Sequence, residues 1–112
     1  MDFEDFKNKR INDVSRLIGN GQICPEELTR FYLQRILSDP RSEEIFTEVY
    51  KKSALASAKE SKQRAKVGLR RGVLDGIPIS IKDLADIKGK LTGGGSSLTK
   101  KEKARNNATF VD

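Results

Sequence analysis

Leu74-Asp75-Gly76-Ile77-Pro78-Ile79-Ser80-Ile81-Lys82-Asp83 is the stretch on which the reading of this chain turns. Ile77, Ile79 and Ile81 alternate with Pro78, Ser80 and Lys82, the period-two pattern of a strand. Successive strand side chains point to opposite faces, so the isoleucines share one side and Ser80 and Lys82 the other. Pro78 has no N–H for a ladder and belongs near the strand's start. Lys82 then stands near the carboxyl end, which is where open α/β sheets place their sites.

Upstream the periodicity is helical. Phe3, Phe6, Ile11, Val14, Leu17 and Ile18 recur at three-to-four-residue intervals until Gly19-Asn20-Gly21 stops them. Pro25 suits the first position of a second helix, and Glu26 and Glu27 load its first turn with negative charge. Cys24 takes the N-cap position with Glu27 three residues on, a capping box in outline with a weak acceptor. Leu28, Phe31, Tyr32 and Ile36 carry this helix to Ser38, where Asp39-Pro40 ends it. Ile45-Phe46-Thr47-Glu48-Val49-Tyr50 is β-branched and aromatic and suggests a short extended segment. Residues 52–67 read as a third helix with a thin apolar side of Leu55, Ala58 and Ala65, followed by Gly68. Beyond the strand, Thr92-Gly93-Gly94-Gly95-Ser96-Ser97 is turn-rich. Asn106-Asn107 then caps an apparent helix that has barely passed nucleation when the sequence stops, so the chain reads as the first part of a longer one.

The chain has 112 residues, with 22 Lys+Arg against 16 Asp+Glu, one Cys, no Trp and no His. That length suits one small domain. Without His there is no Ser-His-Asp or Cys-His machinery. One Cys and no His exclude a zinc site of the usual ligand types, so no metal site is expected. A single Cys forms no internal disulfide and fits a reducing compartment. No apolar run approaches a membrane span, and the acidic N-terminus is unlike a signal peptide, so the expected location is cytoplasmic with no membrane contact. The charge is uneven: residues 51–71 hold eight basic side chains and one acidic. Such a stretch can be a footprint for phosphates or simply a solvated helix face. No aromatic lies between Tyr50 and Phe110, so there is no platform for stacking bases.

Lys82 is the sharpest candidate for chemistry. A lysine whose pKa is lowered by burial or a neighbouring cation can take a proton from a serine hydroxyl. The plainer alternative is a surface lysine paired with Asp83 or Asp86. Gly93-Gly94-Gly95-Ser96-Ser97 could cradle a phosphate, but a P-loop ends in Gly-Lys-Ser/Thr, whereas Leu98-Thr99-Lys100 follows here. A flexible connection is the alternative. Cys24, at a helix N-terminus, could be a reactive thiol, but no base accompanies it.

The stretch 74–83 strongly resembles the lysine motif of the amidase signature family. Gly21-Gln22-Ile23-Cys24-Pro25-Glu26-Glu27-Leu28 is similar to that family's Ser-Pro-x-Glu-Leu helix start. Thr92 to Ser96 resembles its Thr-x-x-Gly-Ser turn, and Asn107-Ala108-Thr109 its Asp-Ala-Thr helix start. The resemblance runs in order from about residue 10 to residue 112. It implies an α/β fold with a mixed sheet, of which this chain holds the N-terminal helices and first strand. Residues 1–72 would be the N-terminal helical region and 73–112 the start of the catalytic core. It implies hydrolysis of amide carbon–nitrogen bonds by a Ser–cis-Ser–Lys triad, with Lys82 as the triad lysine, a small-molecule amide as substrate and no cofactor. The family's Gly-Gly-Ser-Ser-Gly-Gly stretch, which carries both serines, is absent. Gly94-Gly95-Ser96-Ser97 mimics part of it, but Leu98-Thr99 follows, so Ser96 and Ser97 are not assigned as nucleophiles. The isolated chain is expected to be inactive and to fold marginally, since one strand does not close a parallel sheet.

Two other roles compete with a free-standing amidase. One is an amidotransferase subunit of the same fold, with tRNA and further subunits as partners. The other is a non-enzymatic basic module that binds nucleic acid through residues 51–71.

Overall fold

The computed structural model describes residues 8–81, 87–90 and 103–108. The chain divides into two compact units, Met1–Pro78 and Ile79–Asp112.

The first unit is helical. Helix α1 spans Ile11–Gly19. It opens where the Arg10 N–H donates to the Asp13 carboxylate (3.1 Å), so an acid in the first turn caps the helix from within. A turn through Gly21, which has φ of +83°, leads to α2, Pro25–Ser38. Pro25 lacks only an N–H that a helix start leaves unpaired anyway. Cys24 stands at the N-cap as expected, but its side chain makes no capping hydrogen bond; the box drawn with Glu27 is not formed there. Sulfur is a weak acceptor for a backbone N–H. Helix α3 is a single turn, Ser42–Ile45. The extended segment expected over 45–50 therefore begins as helix, and no strand forms there. β propensity needs a neighbouring strand to act on, and none is present among the described residues. Helix α4 spans Lys51–Lys66.

Helices α2 and α4 pack against each other. The core gathers Ile18, Ile23 and Leu28, with Val14, Leu17, Phe31, Tyr32, Ala65 and Ile77 around them. Ile18 and Leu28 are each only 1% exposed. Burying two such side chains contributes about 3–6 kcal/mol before the entropy of ordering the chain is set against it. After α4 the chain turns at Gly68 (φ +72°) and returns across the helices as residues 69–78.

The period-two stretch is not a strand among the described residues. Residues 77–81 carry no regular secondary structure. Ile77 joins the helical core, whereas Ile79 is 67% exposed, so the isoleucines do not share one buried face. A strand exists only as a member of a ladder, and no described residue offers 77–81 a partner. The structure is thus helix-rich; the expected first strand is not shown.

The second unit contains one parallel bridge, Lys88 to Ala104. The Gly89 N–H donates to the Ala104 carbonyl (2.8 Å), and the Ala104 N–H donates to the Lys90 carbonyl (2.9 Å). The helix expected after Asn106-Asn107 falls largely outside the described residues; the Asn107 side-chain oxygen accepts the Lys88 N–H at 2.7 Å. No helix among the described residues is long and apolar enough to cross a membrane.

Candidate functional site: the clamp on the lysine motif

Lys82 lies outside the described residues, as do Asp83, Asp86 and the run Thr92 to Ser97. What the structure places is the first half of the lysine motif, residues 74–78, together with the segment leading to it.

Two arginines hold this segment. Arg64, in the last turn of α4, donates from Nε and Nη2 to both oxygens of Asp75, each at 2.7 Å. The two parallel bonds form the fork that guanidinium and carboxylate geometry allow. Arg64 Nη2 also reaches the Ser61 hydroxyl (2.9 Å). The Arg71 N–H adds a third bond to the Asp75 carboxylate (2.9 Å). The Asp75 side chain is 5% exposed and that of Arg64 23%. The Arg64 guanidinium, and then the Arg71 N–H, hold the Asp75 carboxyl well below the usual carboxylate range. Arg64 is correspondingly held more firmly in its charged form.

Arg70 makes the second attachment. Its Nη1 donates to the Ser15 carbonyl (3.1 Å), and its Nη2 donates to the Asp75 carbonyl (2.9 Å) and the Ser15 hydroxyl (3.1 Å). The Ser15 hydroxyl in turn donates to the Val73 carbonyl (2.6 Å). Ser15 is buried on α1, and among the described residues its hydroxyl finds its partners on the returning segment.

Gly76 completes the clamp by having no side chain. Its φ is +99°, and a Cβ built there would lie 3.0 Å from Pro25 Cγ and 3.4 Å from Ile18 Cδ1. The backbone can press onto the start of α2 only because nothing projects from it. A turn then closes as the Ile77 N–H donates to the Leu74 carbonyl (3.0 Å), and Ile77 drops into the core.

The clamp therefore holds the chain to the helices through residues 73–77, a few positions before Lys82 in the sequence. Arg64, Arg70 and Ser15 were not visible as functional residues in the sequence; both arginines were absorbed into the basic stretch. One signal was available. Arg64 is the only arginine in an α4 whose other basic residues, Lys51, Lys52, Lys59, Lys62 and Lys66, are all lysine. A bidentate carboxylate partner is the site that demands arginine. Cys24 is a free, partly exposed thiol at the start of α2.

A family described as Amidase matches residues 27–112. The chain is 39% identical over 89 residues to the A subunit of a glutamyl-tRNA(Gln) amidotransferase from Chlorobaculum tepidum, covering 80% of this chain and 17% of that protein. It is 35% identical over 101 residues to the A subunit of the mitochondrial glutamyl-tRNA(Gln) amidotransferase of Ornithorhynchus anatinus, covering 90% of this chain and 19% of that protein. The human mitochondrial counterpart is 34% identical over 103 residues, covering 92% and 19%. The chain thus spans less than a fifth of the length of these relatives. No solved structure matches it.

Proposed function

This chain belongs to the amidase family, and we propose that it is the part of an amide-cleaving enzyme that supplies the triad lysine, Lys82. The observation that carries this reading is the match over residues 27–112, which contains the intact Gly76-Ile77-Pro78-x-x-x-Lys82-Asp83 motif. In the proposed reaction Lys82 takes the proton of a cis serine, which relays that of a nucleophilic serine. The nucleophile attacks the amide carbonyl, the leaving amine is protonated, and water clears the acyl-enzyme. Both serines belong to the Gly-Gly-Ser-Ser-Gly-Gly stretch that these 112 residues lack. The chain by itself is therefore proposed to be inactive, with residues 1–72 as its helical region, 73–112 as the start of the catalytic core, and the cytoplasm as its location.

A second reading is favoured by the names of the relatives: one component of a tRNA-dependent amidotransferase, with tRNA and partner subunits. Both readings give Lys82 the same role, so one experiment tests it. These residues replace the matching segment of the Chlorobaculum tepidum relative, and the chimera is assayed for amide hydrolysis. Loss of a catalytic base lowers rates by about 10²–10⁴-fold, so Lys82→Ala should reduce kcat by that factor. An active chimera indifferent to Lys82→Ala would remove the lysine from the mechanism.

A further inference from the structure

The eight basic side chains of residues 51–71 are not one footprint. Arg64 and Arg70 are turned inward and spent on the clamp. Lys62 lies 3.9 Å from Glu26 on α2. Lys51 and Arg71 stand at the two ends of the stretch. Lys52, Lys59 and Lys66 form its middle, all exposed on α4 and without an ion pair among the described residues.

These three are spaced by seven residues. With Ala56 and Gln63 they complete an i, i+4, i+7, i+11, i+14 line, which is a single face of a helix. Every residue on that line is exposed. The lysines stand about 10 Å apart along the axis and span about 21 Å, at 1.5 Å per residue. No acid lies on the line; Glu60, the only acid in α4, sits about 100° round the helix from Lys59.

We propose that this lysine line is a docking surface for the phosphate backbone of double-helical RNA. Its chemistry fits a backbone and not bases, because it offers charge and hydrogen-bond donors with no aromatic to stack on. Double-stranded RNA is recognised largely by shape and by phosphate and 2′-hydroxyl contacts, which point charges and the Gln63 amide can supply. A lipid surface fits less well. The line carries no bulky apolar side chain, and the buried Ala58 and Ser61 lie on the side of α4 that packs on α2. The choice of RNA over other polyanions rests on the tRNA-linked reading above. Binding requires no catalysis, however, so its failure leaves the amidase assignment standing.

The test is fluorescence anisotropy of the full 112-residue chain with a duplex RNA of about 16 base pairs, the span of a double-stranded-RNA-binding domain, across a salt series. One variant carries Lys52→Gln, Lys59→Gln and Lys66→Gln. A control removes the same charge elsewhere, with Arg16→Gln, Arg30→Gln and Lys103→Gln. A third carries arginine at the three line positions. Far-UV ellipticity checks that all remain helical. The line variant should lose at least about tenfold in affinity at about 50 mM salt, and its log–log salt slope should flatten by about 2–3, close to one for each phosphate contact. The control should stay within about threefold of wild type, and the arginine variant should bind as wild type does. Equal loss in line variant and control would overturn the proposal, since diffuse attraction would then suffice. Absence of binding at low salt would overturn it too, as would capture by phosphatidylserine vesicles but not by RNA.

Discussion

Asp75→Asn tests the clamp at its centre. The substitution keeps the shape of the side chain and one acceptor, and removes the charge. Three hydrogen bonds converge on the native carboxylate: two from Arg64 at 2.7 Å and one from the Arg71 N–H at 2.9 Å. Each charge-assisted bond contributes about 1.5–3 kcal/mol net, but bonds sharing one acceptor group are not additive. Removing one partner of a fully buried pair costs about 3–5 kcal/mol. Arg64 retains partial access to water, which relieves some of that cost. The expected loss is therefore about 2–4 kcal/mol. It is read from urea unfolding followed by far-UV ellipticity, with midpoints compared at neutral and at low pH. The pH arm has a definite sign. Arg64 and Arg71 depress the native pKa of Asp75, so its contribution is complete above the unfolded value of about 3.9 and is lost as pH falls below it. The wild-type advantage over Asp75→Asn should be full at about pH 7 and shrink steadily from about pH 4 to about pH 2. Equal midpoints at neutral pH would refute the clamp. A gap that persists unchanged at the acid end would show that it arises from packing and not from the charge.

Two further substitutions examine neighbouring parts of the same argument. Gly76→Ala places a Cβ 3.0 Å from Pro25 Cγ on a backbone with φ of +99° and should cost about 2–4 kcal/mol. Gly72→Ala, which meets open space, is its control and should shift stability by less than about 0.5 kcal/mol; equal effects would remove the close approach from the account. Cys24→Ser restores an oxygen acceptor at the N-cap of α2 and should stabilise by about 1 kcal/mol, read as a raised Tm. An unchanged Tm would mean that the cap is met in another way.

What was legible in the sequence followed the range of the forces involved. Helix α2 begins at Pro25 and ends at Ser38 as read, because Pro25 and Asp39-Pro40 set those limits through local covalent constraints. Helix α4, read as 52–67, is displaced by one residue at each end, as expected where no strong cap marks the boundary. The strand expected over 77–81 rests on a pattern that is real but conditional. Period two states which side chains would share a face if a ladder formed; it does not supply the ladder. The clamp was invisible for a different reason. Ser15 and Arg70 are 55 residues apart in sequence, and nothing local announces that their polar atoms meet.

The first half of the lysine motif emerges with work of its own. Its residues stand beside the lysine in sequence, yet Asp75 is consumed by Arg64, Gly76 by Pro25, and Ile77 by the core. These attachments hold Leu74 to Ile77 to the helices whether or not a ladder forms beyond Pro78. The two halves of the motif should then fail differently. Damage at Asp75 or Gly76 should appear first as lost stability of the helical unit, measurable on this chain alone. Damage at Lys82, in the proposed role, should leave that stability intact and appear only as lost turnover in a protein that supplies the serines. The division between those two signatures falls where Ile77 leaves the core, and that is also where the short-range signals of the sequence ceased to be enough.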